Sequence, residues 1–100
     1  MSGAIRLDLN HPEFQADVFA LESDQLIALI AALNKISRLT WEQVYRDKGL
    51  HWETIHTRTG LNKERLYSLR ITQKFRAVAL RAGDSMRFIS LHPDHDSAYK

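Results

Sequence analysis

The spacing of apolar residues changes halfway along this 100-residue chain, and that change constrains the fold more than any other feature. In the first half, apolar residues recur at helical spacing, most clearly in the stripe from Leu26 to Ile36. From about Trp52 onward they form short runs rich in β-branched and aromatic residues, which is typical of strands. Because a helix stripe and a sheet face must each be buried against another element, we predict an α+β domain with helices on one face of a sheet.

Three helices are predicted in the first half. Residues 12–21 carry a proline at the first helical position, which favours a short helix. Ser23 can cap a longer helix over Asp24–Ser37. A third helix opens at Thr40, where a glutamine three positions later matches a capping box, and it stops at Gly49.

Four strands are predicted around these helices. Residues 5–9 alternate between apolar and polar side chains, which indicates a first strand with one buried face. The runs 66–72, 74–81 and 86–92 are separated by turn residues and predict an antiparallel meander. The polar stretch His56–Glu64 is predicted to be an exposed loop. The expected sheet is mainly antiparallel and four-stranded.

Composition excludes several classes of protein. Residues 1–100 fit a single domain, since domains usually run from about 50 to 250 residues. There is no cysteine, which excludes disulfides and thiolate sites and agrees with a reducing compartment. The longest apolar run, Leu26–Leu33, is much shorter than the roughly 20 residues that span a bilayer, and the N-terminus does not resemble a signal peptide. We therefore expect a cytoplasmic protein with no membrane association.

Positive charge is concentrated in one segment. Residues 58–87 hold eight basic and two acidic side chains, whereas residues 1–57 are net acidic. Such a segment is a candidate for phosphate contact, because neutralised phosphates release counterions and drive association. The same charges also fit a solvated sheet face, and the sequence leaves both interpretations open.

Metal and serine-nucleophile chemistry fit the sequence poorly. The HPDHD stretch at residues 92–96 has no second cluster with ligand spacing, since His11, His51 and His56 are scattered. Ser97 lies beside it but no nucleophile-elbow motif is present, and the four glycines never form a phosphate-cradling loop. We expect no metal and no cofactor.

Two arginines and two C-terminal residues form the strongest constellation. Arg70 and Arg76 flank the predicted turn at Gln73, so an antiparallel hairpin places them opposite one another. Two guanidiniums on one surface can grip a phosphate through charge-assisted hydrogen bonds. His95 and Tyr99 beside that site could transfer protons, which predicts metal-free phosphodiester chemistry.

The same residues also allow a purely structural interpretation. In it, the two arginines pair with helix carboxylates such as Glu22 or Glu42. His95 is then a turn residue, and Tyr99 anchors the C-terminal segment.

The C-terminal half resembles the RelE/ParE superfamily of bacterial type II toxins. The resemblance rests on LYSLRITQKFRAVAL at residues 66–80, on Gly83-Asp84 at the next hairpin, and on the terminal HDSAY at residues 95–99. It implies an mRNA interferase that inhibits translation by cleaving messenger, typically on the ribosome. In such enzymes the RNA 2′-hydroxyl attacks the neighbouring phosphate without a metal and leaves a 2′,3′-cyclic phosphate.

The resemblance also implies roles for individual residues. Arg76 matches the arginine that stabilises the transition-state phosphate, with Arg70 as its supporting partner. His95 and Tyr99 match C-terminal residues that act as acid or orient the scissile nucleotide. Glu53 resembles the general base of one branch.

His51 and His56 are the alternatives to Glu53 as base. Four further cations of the basic segment are expected to contact RNA, namely Arg65, Lys74, Arg81 and Arg87.

The resemblance implies a cognate antitoxin as a partner, together with mRNA and the ribosome. An acidic antitoxin segment would suit the basic residues 58–87. Another branch of the superfamily inhibits DNA gyrase, so the alternative is a binder without catalysis, either a gyrase inhibitor or a degenerate member that only docks an antitoxin.

Overall fold

The structure is a computed structural model that describes residues 3–59 and 64–93. Along the chain, three helices follow the first strand and precede the other four strands, which confirms the predicted α+β class. Within the two described ranges, no helix is long and apolar enough to cross a membrane. The elements are β1 (Arg6–Asp8), α1 (Pro12–Phe19), α2 (Ser23–Ile36), α3 (Trp41–Arg46), β2 (Glu53–Thr59), β3 (Arg65–Arg70), β4 (Arg76–Ala82) and β5 (Ser85–His92).

All five strands belong to one sheet, in the order β1-β5-β4-β3-β2. The last three strands of the chain form the predicted antiparallel meander. β2 pairs antiparallel with β3, and β1 pairs parallel with β5 at the opposite edge. The sheet is thus mainly antiparallel, as predicted, but it has five strands rather than four.

The additional strand is β2. The polar composition of residues 56–64 predicts a loop, but the backbone of Glu53–Thr59 pairs with β3. An edge strand needs few apolar side chains, and here Ile55 is buried with 2% exposure. The ladder hydrogen bonds are made by the backbone, so the polar side chains do not prevent the strand from forming.

The helices begin close to the predicted positions. α1 starts at Pro12, and α3 starts after Thr40, whose capping box with Gln43 is present as predicted. α2 begins one residue earlier than expected, because Glu22 rather than Ser23 is the N-cap residue. The Glu22 backbone N–H donates to the Gln25 side chain at 2.9 Å.

α3 ends at Arg46 and does not continue to Gly49. Asp47 adopts an extended conformation, and its carboxylate accepts the Leu50 backbone N–H at 2.9 Å and pairs with Lys35 at 3.0 Å. The Leu50 N–H, followed by the Lys35 ammonium, lowers the pKa of Asp47 below its usual range. This bonding stops the helix and turns the chain toward β2.

The main core lies between the helices and one sheet face. Phe14 on α1 packs against Phe88 on β5, with ring centroids 5.5 Å apart. Ala77 and Ala79 on β4 are completely buried beneath the helices, where their small side chains permit close approach. A second cluster covers the other sheet face and consists of Ile55, Leu66, Val78 and Leu80 with Ile89 packed against it.

Candidate active site

Three residues from neighbouring strands form a row on the sheet face that lies away from the helices. Arg70 on β3 lies directly opposite Arg76 on β4, which confirms the predicted hairpin, and Arg76 lies opposite His92 on β5. Residues that are directly opposite in a ladder point to the same face. Val78, two residues beyond Arg76, belongs to the cluster on this face and fixes which face it is. We call Arg70, Arg76 and His92 the arginine row.

Arg76 is a buried cation, with only 5% of its surface exposed. Its Nη1 donates to the backbone carbonyl oxygens of Thr72 at 3.0 Å and Gln73 at 3.2 Å. Its Nε is buried and has no hydrogen-bond partner among the described residues, and the same is true of Arg70 Nε. The hairpin loop thus holds the guanidinium in place while leaving donor capacity unused.

The described carboxylates do not pair with the two arginines, so the pairing with Glu22 or Glu42 that the structural interpretation predicts is absent within residues 3–59 and 64–93. Glu42 pairs instead with Arg46 at 2.7 Å, and Glu22 lies at the start of α2 on the other side of the sheet. Two like charges that face each other across strands destabilise a sheet, and burial of a charge adds to that effect. An anion between the guanidiniums would relieve both effects.

His92 completes the row, and it is not among the site residues predicted from the sequence. Its Nε2 lies 2.8 Å from Ser90 Oγ. Three polar or charged residues of the described chain are buried, namely Ser68, Arg76 and Ser90, and their pairing places all three on this face. A buried polar group needs a hydrogen-bond partner, and His92 supplies one to Ser90.

A β-bulge places His92 opposite Arg76. Val78 pairs with Ser90 and Ala79 pairs with Phe88, so Ile89 is an extra residue in β5. In an unbroken register, Leu91 would lie opposite Arg76. The sequence gives no signal for a bulge at this position, although the HPDHD stretch marks the end of β5 as unusual.

Glu53 lies on the same face, on the edge strand β2. It pairs with Ser68, which in turn pairs with Val78. Its Oε2 lies 3.2 Å from Nε2 of His51, and both side chains are about half exposed. His51 has a φ of 50°, which is rare for a residue other than glycine. The sharp turn before β2 thereby brings the imidazole against the carboxylate.

The predicted RNA-contacting cations are divided between the two faces. Lys74 is exposed in the hairpin loop beside the arginine row. Arg87 pairs with Leu80 in the ladder, so it lies on the same face as the arginine row. Its guanidinium is already engaged by carboxylates, because Nε donates to Asp8 Oδ2 at 2.9 Å and Nη1 lies 4.0 Å from Glu64 Oε2. The hydrogen bond from Arg87 lowers the pKa of the Asp8 carboxyl below its usual range.

The other two cations lie apart from the row. The Arg81 guanidinium carbon is 4.7 Å from the Trp41 ring centroid, and its Nη1 donates to Tyr45 Oη at 2.8 Å, on the helix side of the sheet. Arg65 alternates with the buried Leu66 along β3 and therefore points to the helix side.

The remaining predicted residues are His56, His95 and Tyr99. His56 is exposed on β2 next to Ile55. His95 and Tyr99 lie outside the described residues. In the described ranges, no three His, Asp or Glu side chains are close enough together to hold a metal ion.

Solved structures reveal what this fold resembles. No protein-family model and no curated protein sequence matches the chain. The toxin of the archaeal RelE–RelB complex from Pyrococcus horikoshii superimposes with a TM-score of 0.62 over 90% of this chain and 94% of that one, at 15% sequence identity. A copper-bound mutant toxin from Helicobacter pylori matches with a TM-score of 0.49 over 93% of this chain and 97% of that one, at 19% identity. The first likeness shows a RelE-like toxin fold, as the C-terminal resemblance predicts.

Proposed function

From the RelE-like fold and the arginine row, we propose that this chain is the toxin of a type II toxin–antitoxin system and acts as a metal-independent endoribonuclease on mRNA. The observation that carries the proposal is the buried Arg76 guanidinium, which lies between Arg70 and His92 without a carboxylate partner in the described chain. We further propose that it cleaves ribosome-bound messenger in the bacterial cytoplasm.

The two arginines bind and polarise the scissile phosphate. Negative charge builds up on the phosphoryl oxygens as a phosphodiester reacts, and fixed donors stabilise that charge without reorganisation. The carbonyl oxygens of Thr72 and Gln73 hold Arg76 before substrate arrives. Two guanidiniums can supply the positive charge that other phosphoryl-transfer sites obtain from metal ions.

Glu53 and His92 flank the arginines on opposite sides. They belong to β2 and β5, which are separated by three strand spacings, or roughly 14 Å between backbones. Glu53, oriented by His51, accepts the proton of the attacking 2′-hydroxyl. His92 donates a proton to the departing 5′-oxygen as the P–O5′ bond breaks, which leaves a 2′,3′-cyclic phosphate and a 5′-hydroxyl.

His95 and Tyr99 follow β5 directly in the chain and stay proposed for the same proton donation or for orienting the nucleotide. The solved RelE structure is a complex with RelB, which supports an antitoxin as this chain's partner. An acidic antitoxin segment across the arginine row would supply the anion that the two guanidiniums lack in the described chain.

Cleavage of a reporter mRNA in a reconstituted bacterial translation reaction tests the proposal, with a parallel reaction that lacks ribosomes. We expect discrete cuts with 2′,3′-cyclic ends, and a loss of at least about 100-fold in rate for Arg76→Met and for Glu53→Gln. The matched control is Arg46→Met, which removes one exposed positive charge on α3 and should cleave like the wild type.

A comparison of His92→Gln, His95→Ala and Tyr99→Phe identifies the proton donor. The variant that lacks the donor should lose about 10²- to 10⁴-fold in cleavage rate while it still binds uncleaved RNA. Intact messenger with the folded wild-type protein in every reaction would contradict the ribonuclease proposal. A gyrase supercoiling assay would then test the alternative branch.

A further inference from the structure

Half of the apolar stripe on α2 does not contribute to the core. Leu29, Leu33 and Ile36 are buried, as their helical spacing predicts. On the flank of the helix, Leu26, Ile27 and Ile30 are 38%, 71% and 56% exposed. Phe19 at the end of α1 is 89% exposed. We call Phe19, Leu26, Ile27 and Ile30 the helix surface.

The helix surface borders a groove between α1 and α2. Phe19 and Ile30 line its rim, and its walls come from buried or half-buried apolar residues of both helices. The groove has a volume of about 230 Å³. Large apolar side chains that project beside an apolar groove are typical of an interaction site. The main wall residues are Phe14, Val18, Leu29 and Leu33.

The backbone geometry limits how a partner can dock. Both walls are helices, whose backbone N–H and C=O groups bond within each helix, so no strand can add to this surface. Contact must come from side chains. A helix laid along the groove presents residues at positions i, i+3, i+4 and i+7 that interdigitate with the ridges on either side.

The two helices that form the groove are net acidic. Residues 12–36 contain four acidic side chains and one basic side chain, Lys35, which pairs with Asp47 at 3.0 Å. Glu13, Glu22 and Asp24 are exposed on the two helices or at the link between them. Nucleic acid and anionic membranes would be repelled here, whereas lysine or arginine on a partner would be attracted. A second copy docked face to face would bring acidic residues against acidic residues.

We propose that the helix surface binds an amphipathic helix of a partner protein whose apolar stripe is flanked by lysine or arginine. This surface lies on the opposite side of the sheet from the arginine row. Binding there does not depend on the proposed ribonuclease activity, and it is chemically distinct from an acidic segment on the arginine row.

Two synthetic helical peptides test this proposal. They share one leucine and isoleucine stripe, and they carry either lysine or glutamate at the flanking positions. Fluorescence anisotropy with the full chain should show the lysine peptide binding at least about tenfold more tightly than the glutamate peptide. Ile27→Gln and Phe19→Gln should each weaken the lysine peptide by at least about tenfold. Both residues are largely exposed, so these variants should fold normally.

Tyr45→Gln is the matched control, because Tyr45 is a 55% exposed aromatic residue on α3, outside the groove. Its affinity for the lysine peptide should stay within about twofold of the wild type. Equal affinity for the two peptides, or affinity that neither of the two helix-surface variants changes, would overturn the proposal. Sedimentation that reveals a dimer abolished by Ile27→Gln would also overturn it, since a second copy would then be the occupant.

Discussion

Replacement of Arg76 by methionine separates the function of the arginine row from the stability of the fold. The side chain is 5% exposed and faces Arg70 directly across the hairpin. Methionine is also long and unbranched, so it fills much of the same space without a charge. The variant therefore removes a buried charge and a like-charge pair while it keeps most of the packing.

The expected change in the free energy of unfolding follows from the contacts that are lost. The two carbonyl oxygens that Nη1 contacts belong to Thr72 and Gln73, which are in an exposed turn where water can replace the donor. That loss is about 1 kcal/mol at most. Removal of the buried charge and of the repulsion from Arg70 offsets it, by about 1 to 3 kcal/mol. We expect Arg76→Met to raise the unfolding free energy by about 0 to 3 kcal/mol.

Urea denaturation followed by tryptophan fluorescence measures this change, and the mRNA cleavage assay measures function. The expected combination is unchanged or higher stability with cleavage reduced by about 10²- to 10³-fold. Lys74→Met, which alters an exposed cation in the same hairpin loop, should leave the unfolding free energy within about 0.5 kcal/mol of the wild type. A loss of more than about 2 kcal/mol in Arg76→Met would refute the reasoning, because it would make Arg76 a structural residue.

Three further predictions concern the fold. Phe88→Ala should lower the unfolding free energy by about 3 to 5 kcal/mol in urea denaturation, because the ring is completely buried. Phe19→Ala, at a largely exposed position, should change it by less than about 0.5 kcal/mol. Comparable losses for the two variants would contradict the packing described. The hydrogen bond from Arg87 lowers the pKa of Asp8, so the carboxylate stabilises the fold above its ordinary pKa of 3.8, and this stabilisation is lost as pH falls through the lower folded value. Unfolding free energies of the wild type and Asp8→Asn should differ above about pH 4 and converge in stronger acid, and parallel pH curves would count against the pair. Gly83 has a φ of 63° in the β4–β5 turn, so Gly83→Ala should be destabilised by about 1 kcal/mol in thermal unfolding, and an unchanged melting temperature would argue against that turn conformation.

Local signals predicted most of the fold correctly. The capping box at Thr40 and the proline at residue 12 placed helix starts within a residue, since a cap depends on neighbours in the chain. The loop predicted over His56–Glu64 is wrong for residues 56–59, which belong to β2, because their polar side chains contain little strand signal and the pairing with β3 is made by the backbone. The helical period of α2 was correct, but the period alone cannot separate the buried half of the stripe from the exposed half.

The candidate site shows the same division. The sequence by itself determined that Arg70 and Arg76 face each other, because a short hairpin fixes register from its turn. Only the tertiary structure decided that His92 joins them, since the bulge at Ile89 shifts the end of β5 by one residue. It also decided that Arg81 lies against Trp41 on the helix side, away from the row. A face assignment depends on long-range register and packing, where a shift of one residue reverses every side chain, and no local pattern specifies that shift.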